Sequence, residues 1–241
     1  MRVALAQLNA TVGDIKGNVS LVMERVEQAR DSGASLVVFP ELVVSGYPPE
    51  DLLLKEHFLV DCREALDEIA AGCAGVVALV GVPLQEDGVA YNAAAVLAGG
   101  EVAGWYRKIW LPNYGVFDEK RYFSAGERLT VVEVEVARVA VTICEDIWQA
   151  GGPGEVAAHT GGANVIVNLS MSPYHRGKGS ERCATLGKKA KAAGAFVCYA
   201  NGGGGQDDLV VSQNLGPVPI IKLRGEYTFV DSAIPGAFVG L

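Results

Sequence analysis

The sequence lacks several features that would assign a class of protein at once. It has no run of about 18 apolar residues, so no membrane-spanning helix is predicted. Its first residues, MRVALAQLNA, do not have the layout of a secretory signal peptide. Its five cysteines are odd in number and contain no CxxC pair, which predicts reduced thiols and a cytoplasmic protein. Metal-ligand spacing is also missing, and no metal site is predicted.

An excess of basic residues is missing as well. The 20 Lys and Arg residues are outnumbered by 28 Asp and Glu residues, and the formal net charge is −8. This balance argues against nucleic acid or an anionic membrane as the main partner. The chain does have 241 residues that are 50% hydrophobic, enough for one large core. We therefore predict a single mixed α/β domain over residues 1–241.

Short apolar runs alternate with segments of helical spacing. Strands are predicted at residues 3–8, 35–42, 76–84, 137–144, 164–171 and 195–201, with a hairpin about Gly99-Gly100. Helices are predicted around residues 19–26, 50–71, 155–160 and 180–193. The strands contain few polar residues, which is typical of sheets covered on both faces. The stretch after about Val211 differs, because it contains three prolines and no clear helix.

One cysteine stands where a nucleophile would be expected. The strand at 137–144 ends on Cys144, and two carboxylates follow at once in VTICEDIW. Strand ends are where α/β proteins tend to place site residues. The four other cysteines are interpreted as structural thiols: Cys62, Cys73, Cys183 and Cys198. Because the neighbouring charges disfavour a thiolate, a nucleophilic Cys144 needs a base and a cation from elsewhere.

Two residues are candidates for the base. His175, in the loop SPYHRGKGS, is the only histidine outside a helical pattern. Glu41 follows the buried run LVVFP, and desolvation could raise the pKa of such a carboxyl enough for it to act as a base. Lys108, in WYRKIWLP, ends a further strand among aromatic residues and could supply the cation.

Several long segments resemble a known family. The stretches FPELVVSGYPPEDLL, YRKIWLPNYGVFDEKRYF and VTICEDIW resemble the three catalytic segments of the nitrilase (carbon–nitrogen hydrolase) superfamily. With NLSMSPYHRGKG and GGQDDLV, the chain is most similar to the glutaminase domain of glutamine-dependent NAD synthetase. The resemblance runs from residue 1 to about residue 211, where SQNLGPVPII replaces the family's usual continuation.

The resemblance implies a four-layer αββα sandwich and a Glu-Lys-Cys triad of Glu41, Lys108 and Cys144. Glu119 matches a second glutamate often found in such sites. The glutamine pocket would be lined by Tyr47, Tyr114 and Ser172. The resemblance leaves two roles open for Glu145 and for Asp146, namely binding the substrate's amino group or holding the loop by hydrogen bonds.

The implied activity is glutamine hydrolysis that releases ammonia for NAD synthesis. This domain would need no cofactor, while ATP and deamido-NAD would bind a synthetase domain. The chain has no GxxxxGK[ST] loop, so we expect that domain to be absent and the isolated chain to form no NAD. Partners are then glutamine, an NAD synthetase domain or protein, and further copies of the chain. The alternatives are a free-standing amidase for another small amide and a truncated inactive domain.

Overall fold

The computed structural model describes residues 1–206 and 209–211, and the backbone of the strands at 218–221, 227–230 and 237–240. The strands are β1 (Arg2–Leu5), β2 (Leu36–Val38), β3 (Val77–Glu86), β4 (Val89–Ala98), β5 (Glu101–Arg107), β6 (Val131–Val134), β7 (Ala137–Ile143), β8 (Val165–Ser170), β9 (Phe196–Asn201), β10 (Gly204–Gln206), β11 (Leu209–Val211), β12 (Val218–Ile221), β13 (Tyr227–Val230) and β14 (Ala237–Gly240). The helices are α1 (Ile15–Asp31), α2 (Glu56–Gly72), α3 (Pro153–Gly161) and α4 (Lys178–Ala193). Short 3-10 helices cover Glu50–Leu54, Glu119–Arg121 and Cys144–Ile147.

Two sheets dominate the fold. The six-stranded sheet has the order β14-β1-β2-β3-β4-β5, and the four-stranded sheet has the order β6-β7-β8-β9. In the first sheet β1, β2 and β3 run parallel, while β4, β5 and β14 join antiparallel. In the second, β7, β8 and β9 run parallel and β6 joins antiparallel. Two further pairs, β10-β11 and β12-β13, complete the described strands.

Alternation along the strands divides the core into layers. In β2, Leu36 and Val38 face the apolar layer between the two sheets, together with Val139 and Val167 of the second sheet. Val37 faces the opposite side, where α1 and α2 cover the first sheet. The helices α3 and α4 cover the outer face of the second sheet. This order of layers is the predicted αββα sandwich.

Three sequence-based predictions need correction. The strand predicted over 35–42 ends at Val38, so Glu41 lies in the turn that follows β2. The helix predicted over 50–71 is interrupted at Lys55, whose backbone is extended (φ −99°, ψ 110°), so a 3-10 turn precedes α2. Cys183, which the sequence predicts to be a structural thiol, is exposed on α4. The hairpin about Gly99-Gly100 is present, since β4 and β5 flank these two residues.

The stretch after Val211 contributes at least one strand to the main sheet. β14 pairs antiparallel with β1, with Arg2 opposite Gly240. Residues 212–217, 222–226 and 231–236, part of the predicted atypical tail, lie outside the described residues. Within the described part of the chain, no helix is both long and apolar enough to cross a bilayer.

Candidate active site

Three reactive side chains lie at strand ends that face one another across the two sheets. Glu41 lies just beyond β2, and Lys108 directly follows β5, so both come from the six-stranded sheet. Cys144 directly follows β7 of the four-stranded sheet. All three side chains are buried. The structure therefore places Glu41 and Lys108 in contact and Cys144 close enough to interact electrostatically with both, while their catalytic role stays a prediction.

Lys108 lies between two carboxylates. Its Nζ donates to Glu41 Oε1 at 2.7 Å and to Glu119 Oε1 at 2.8 Å. Asn92 Nδ2 donates to Glu41 Oε1 at 2.8 Å and to Glu119 Oε2 at 3.5 Å. The Lys108 backbone is fixed as well, because its N–H donates to the Asn92 carbonyl at 2.8 Å. One ammonium and one amide thus hold both carboxylates in place.

Glu41 also contacts the four-stranded sheet. Its second carboxylate oxygen, Oε2, accepts a hydrogen bond from the Met171 backbone N–H at 3.1 Å, and Met171 directly follows β8. Behind Glu41, β3 approaches so closely that a Cβ on Gly81 would lie 2.4 Å from both the Pro40 carbonyl oxygen and the Leu42 nitrogen. Only glycine fits this approach, and so it helps to fix the Glu41 backbone.

The charges in the cluster perturb one another. Burial disfavours the Lys108 ammonium, but the carboxylates of Glu41 and Glu119 outweigh that effect and raise the pKa of Lys108 well above its usual value. Burial raises the pKa of Glu119 to about 7, although Lys108 acts in the opposite direction. Lys108 therefore stays protonated at neutral pH, while Glu119 can exchange a proton near it.

Cys144 occupies a strained turn. Its φ is +40°, in the left-handed region that non-glycine residues seldom adopt, and the 3-10 helix Cys144–Ile147 starts there. Burial raises the pKa of its thiol far above the usual range, and the Glu41 carboxylate adds to this, whereas Lys108 and the Ser170 hydroxyl favour the thiolate. The resting nucleophile is consequently a thiol that needs a base.

The two carboxylates after Cys144 have different surroundings. Asp146 is buried and accepts hydrogen bonds from the Tyr106 hydroxyl and from two backbone N–H groups, so it holds the loop. Glu145 accepts from the Tyr114 hydroxyl at 2.8 Å and from Gln149 Nε2 at 3.2 Å. Tyr114, Glu145 and Gln149 line a cleft of about 830 Å³.

The residues predicted to line the pocket are not gathered in one cleft. Tyr114 and Glu145 share the cleft of about 830 Å³, while Tyr47 and Glu119 line a second cleft of about 220 Å³. The Tyr47 hydroxyl donates to Glu119 Oε1 at 3.3 Å. Among the described residues, Ser172 lines neither cleft, and its backbone N–H donates to Asn201 Oδ1 at 3.1 Å. Their role in substrate binding stays a prediction.

The histidine alternative for the base does not fit the geometry. His175 is exposed, and its Nε2 lies 3.3 Å from Glu181 Oε2, whereas Cys144 is buried. Sequence reasoning also missed Asn92, whose only signal was a polar side chain within the apolar strand YNAAAV. Of the described residues, no group of three or more His, Cys, Asp and Glu side chains is placed to hold a metal ion.

Comparison with known proteins assigns the family. The sequence model of the carbon–nitrogen hydrolases matches residues 2–215. The chain belongs to the carbon–nitrogen hydrolase family. This confirms the resemblance drawn from the three catalytic segments.

The chain is similar to part of longer enzymes. It is 49% identical over 212 residues to the glutamine-dependent NAD(+) synthetase of Thermotoga maritima, covering 87% of this chain but 37% of that protein. It is 45% identical over 212 residues to the Aquifex aeolicus enzyme of the same name, with the same two coverages. This carbon–nitrogen hydrolase chain thus spans well under half of the curated relatives it matches.

Solved structures confirm the fold. The glutamine-dependent NAD+ synthetase of Acinetobacter baumannii superposes with a TM-score of 0.85 at 36% identity, over 98% of this chain and 44% of that chain. An amidase from Nesterenkonia sp. AN1 also superposes with a TM-score of 0.85, at 24% identity, over 100% of this chain and 93% of that one. At that identity the amidase supports the shared nitrilase-type fold and nothing finer.

Proposed function

We propose that this chain hydrolyses the side-chain amide of glutamine and releases ammonia for glutamine-dependent NAD synthesis. The buried Glu41, Lys108 and Glu119 cluster beside the Cys144 thiol carries this proposal, because it offers a base, a cation and a nucleophile together. Similarity to glutamine-dependent NAD(+) synthetases supports glutamine as the amide. Glu41, Lys108 and Cys144 act as the catalytic residues, and Glu119 supports Lys108.

In the first half of the reaction, the Glu41 carboxylate takes the proton of the Cys144 thiol. The thiolate attacks the amide carbon of glutamine, and the Lys108 ammonium and the backbone N–H of Glu145 stabilise the oxyanion. Glu41 then gives its proton to the leaving nitrogen, and ammonia departs as the C–N bond breaks. Burial raises the pKa of the thiol, so Cys144 keeps its proton until Glu41 takes it.

In the second half, water hydrolyses the thioester on Cys144. Glu41 accepts a proton from the attacking water, the same oxyanion contacts act again, and the C–S bond breaks. The proton returns to the sulfur, so the products of one turnover are glutamate and ammonia. Lys108 keeps its proton throughout, since the two carboxylates beside it raise its pKa.

The longer relatives support a destination for the ammonia. We propose that a synthetase domain or protein binds ATP and deamido-NAD and receives the ammonia, while this domain needs no cofactor of its own. The chain has no GxxxxGK[ST] loop with which to bind ATP. Self-association and a cytoplasmic location are further parts of the proposal, the latter consistent with five free cysteines.

Substrate profiling of the purified chain tests the proposal. Ammonia release is measured with glutamine, asparagine and short aliphatic amides, with Cys144→Ala as the blank, and with and without an ammonia-dependent NAD synthetase. We expect weak turnover overall, a kcat/KM for glutamine at least about tenfold above the others, and NAD only with the synthetase present. Preference for a short amide would support a free-standing amidase, and no turnover by the folded chain would support an inactive domain.

A further inference from the structure

The nucleophile and its cation belong to different sheets, so their alignment needs a link between the sheets. Cys144 follows β7 of the four-stranded sheet, and Lys108 follows β5 of the six-stranded sheet. Between the sheets lies a layer of apolar side chains, which includes Val38, Val139 and Val167. Apolar contact is non-directional and fixes relative position less sharply than a hydrogen bond does.

Asp146 supplies such a link at the point where it is needed. Its Oδ2 accepts from the Ile143 backbone N–H at 3.0 Å, next to the nucleophile, and from the Tyr106 hydroxyl at 2.7 Å. Its Oδ1 accepts from the Trp110 backbone N–H at 2.9 Å. Tyr106 and Trp110 lie on either side of Lys108 in the sequence. One carboxylate therefore ties the turn that carries the thiol to the strand end that carries the ammonium.

The surroundings leave the link little freedom. The Asp146 residue is 1% exposed, and both of its carboxylate oxygens are occupied. A Cβ on Gly152 would lie 2.3 Å from the Asp146 carbonyl oxygen, so the next stretch of chain packs directly against this residue. Helix capping accounts for the bond from Ile143, but it does not account for the two bonds from the residues on either side of Lys108.

We propose that Asp146 is a positioning residue that holds the Cys144 thiol in register with the Lys108 ammonium. The kinetic part of this inference rests on the proposed amide hydrolysis. An asparagine at this position has a single acceptor oxygen, so its amide would face one of the three donors. A shift of about 1 Å from such a mismatch can lower a rate by about 100-fold.

The test uses a readout that does not depend on the substrate. Alkylation of Cys144 by iodoacetamide is followed by peptide mass spectrometry in a Cys183→Ser background, which removes the exposed thiol. Asp146→Asn is compared with Tyr106→Phe, which removes one donor, and with Asp67→Asn, which removes an exposed carboxylate on α2. Circular dichroism and melting temperature report folding, and kcat and KM for glutamine are measured in parallel.

We expect Asp146→Asn to slow alkylation about tenfold or more and to lower kcat by about 10- to 100-fold, with KM changed by less than about threefold. Tyr106→Phe should give a smaller loss of the same kind, and Asp67→Asn should behave as the parent. Unchanged alkylation and kcat in folded Asp146→Asn would overturn the inference. If that variant does not fold, Tyr106→Phe decides: a loss supports positioning, and parental values overturn it. If Asp146→Asn slows alkylation but the protein does not hydrolyse glutamine, glutamine is not the substrate and the positioning role stands.

Discussion

The two sheets contribute different chemistry to the same site. The six-stranded sheet supplies the charged groups, Glu41 and Lys108, with Glu119 on the chain that follows β5. The four-stranded sheet supplies the thiol of Cys144, with a pKa raised by burial. Among the described residues, the proposed nucleophile and the groups proposed to activate it come from different sheets. In the proposed mechanism, reactivity therefore depends on how two layers of one domain are aligned.

Removing the thiol should give the largest effect, because it deletes the whole contribution of the four-stranded sheet. Cys144→Ala should abolish glutamine hydrolysis, whereas Cys198→Ala should keep most of it. Both sulfurs lie in the layer between the sheets, but Cys198 lies within β9, away from the strand end. Ammonia release by both variants, with circular dichroism as the folding check, measures this contrast. Equal loss in two folded variants would mean that the nucleophile is misassigned.

Displacing Glu41, one of the charged groups of the six-stranded sheet, should give the second-largest effect. Gly81→Ala forces a Cβ against the backbone on both sides of Glu41, at 2.4 Å from two atoms, so the base moves relative to the thiol. We expect kcat to fall by about 10- to 100-fold and the melting temperature to drop. Gly104→Ala is the matched control, since a Cβ at this strand glycine of β5 meets nothing within 4 Å. If Gly81→Ala keeps the kcat of the parent protein, the close approach of β3 does not position Glu41.

The protonation of Glu119 should appear in the pH dependence of stability. Its pKa rises from 4.5 in the unfolded chain to about 7 in the fold, so between these values the native state binds more protons. The free energy of unfolding should therefore decrease as pH rises from about 5 to 7, by at most about 1.4 kcal/mol per pH unit for one group. Denaturant unfolding across this range should show a flatter slope for Glu119→Gln. Asp146, whose pKa burial raises to about 6, leaves a residual slope.

The smallest effect should come from a substitution in the cleft lined by Tyr114 and Glu145, because this cleft takes no part in aligning the two sheets. The Tyr114 residue is 57% exposed, and its hydroxyl donates to Glu145 at 2.8 Å. Tyr114→Phe deletes one hydrogen bond to a carboxylate that is predicted to contact substrate. We expect KM to rise about 3- to 10-fold, with kcat nearly unchanged. A fall in kcat without a change in KM would indicate that Tyr114 acts on the reacting groups rather than in substrate binding.

Much of this architecture was predictable from the sequence. The strand ends at Glu41, Lys108 and Cys144 are marked by apolar runs that stop at reactive residues, and the alternation of strands and helices predicts covered sheets. Motifs that resemble the carbon–nitrogen hydrolases then predicted that these separate residues form one site. Local sequence pattern and family resemblance were sufficient to predict these positions, because the residues next to each strand end determine where the strand stops.

Contacts between distant segments were not predictable. Gly81 is required by the backbone around Glu41, and nothing near Gly81 in the sequence records that approach. Asp146 could be placed in its loop, but its bonds to Tyr106 and Trp110 depend on how the two sheets meet. Cys183 was misjudged because its exposure depends on which face of α4 packs inward. Each miss concerns tertiary packing rather than local structure.

Covalent capture at the thiol tests the central claim most directly. The purified chain is treated with a thiol-reactive glutamine analogue, with and without excess glutamine, and all five cysteines are followed by peptide mass spectrometry. Attack by Cys144, activated across the two sheets, predicts a single adduct on Cys144 that forms at a saturable rate and is suppressed by glutamine. Labelling of the exposed Cys183 with Cys144 unmodified, and no protection by glutamine, would contradict it.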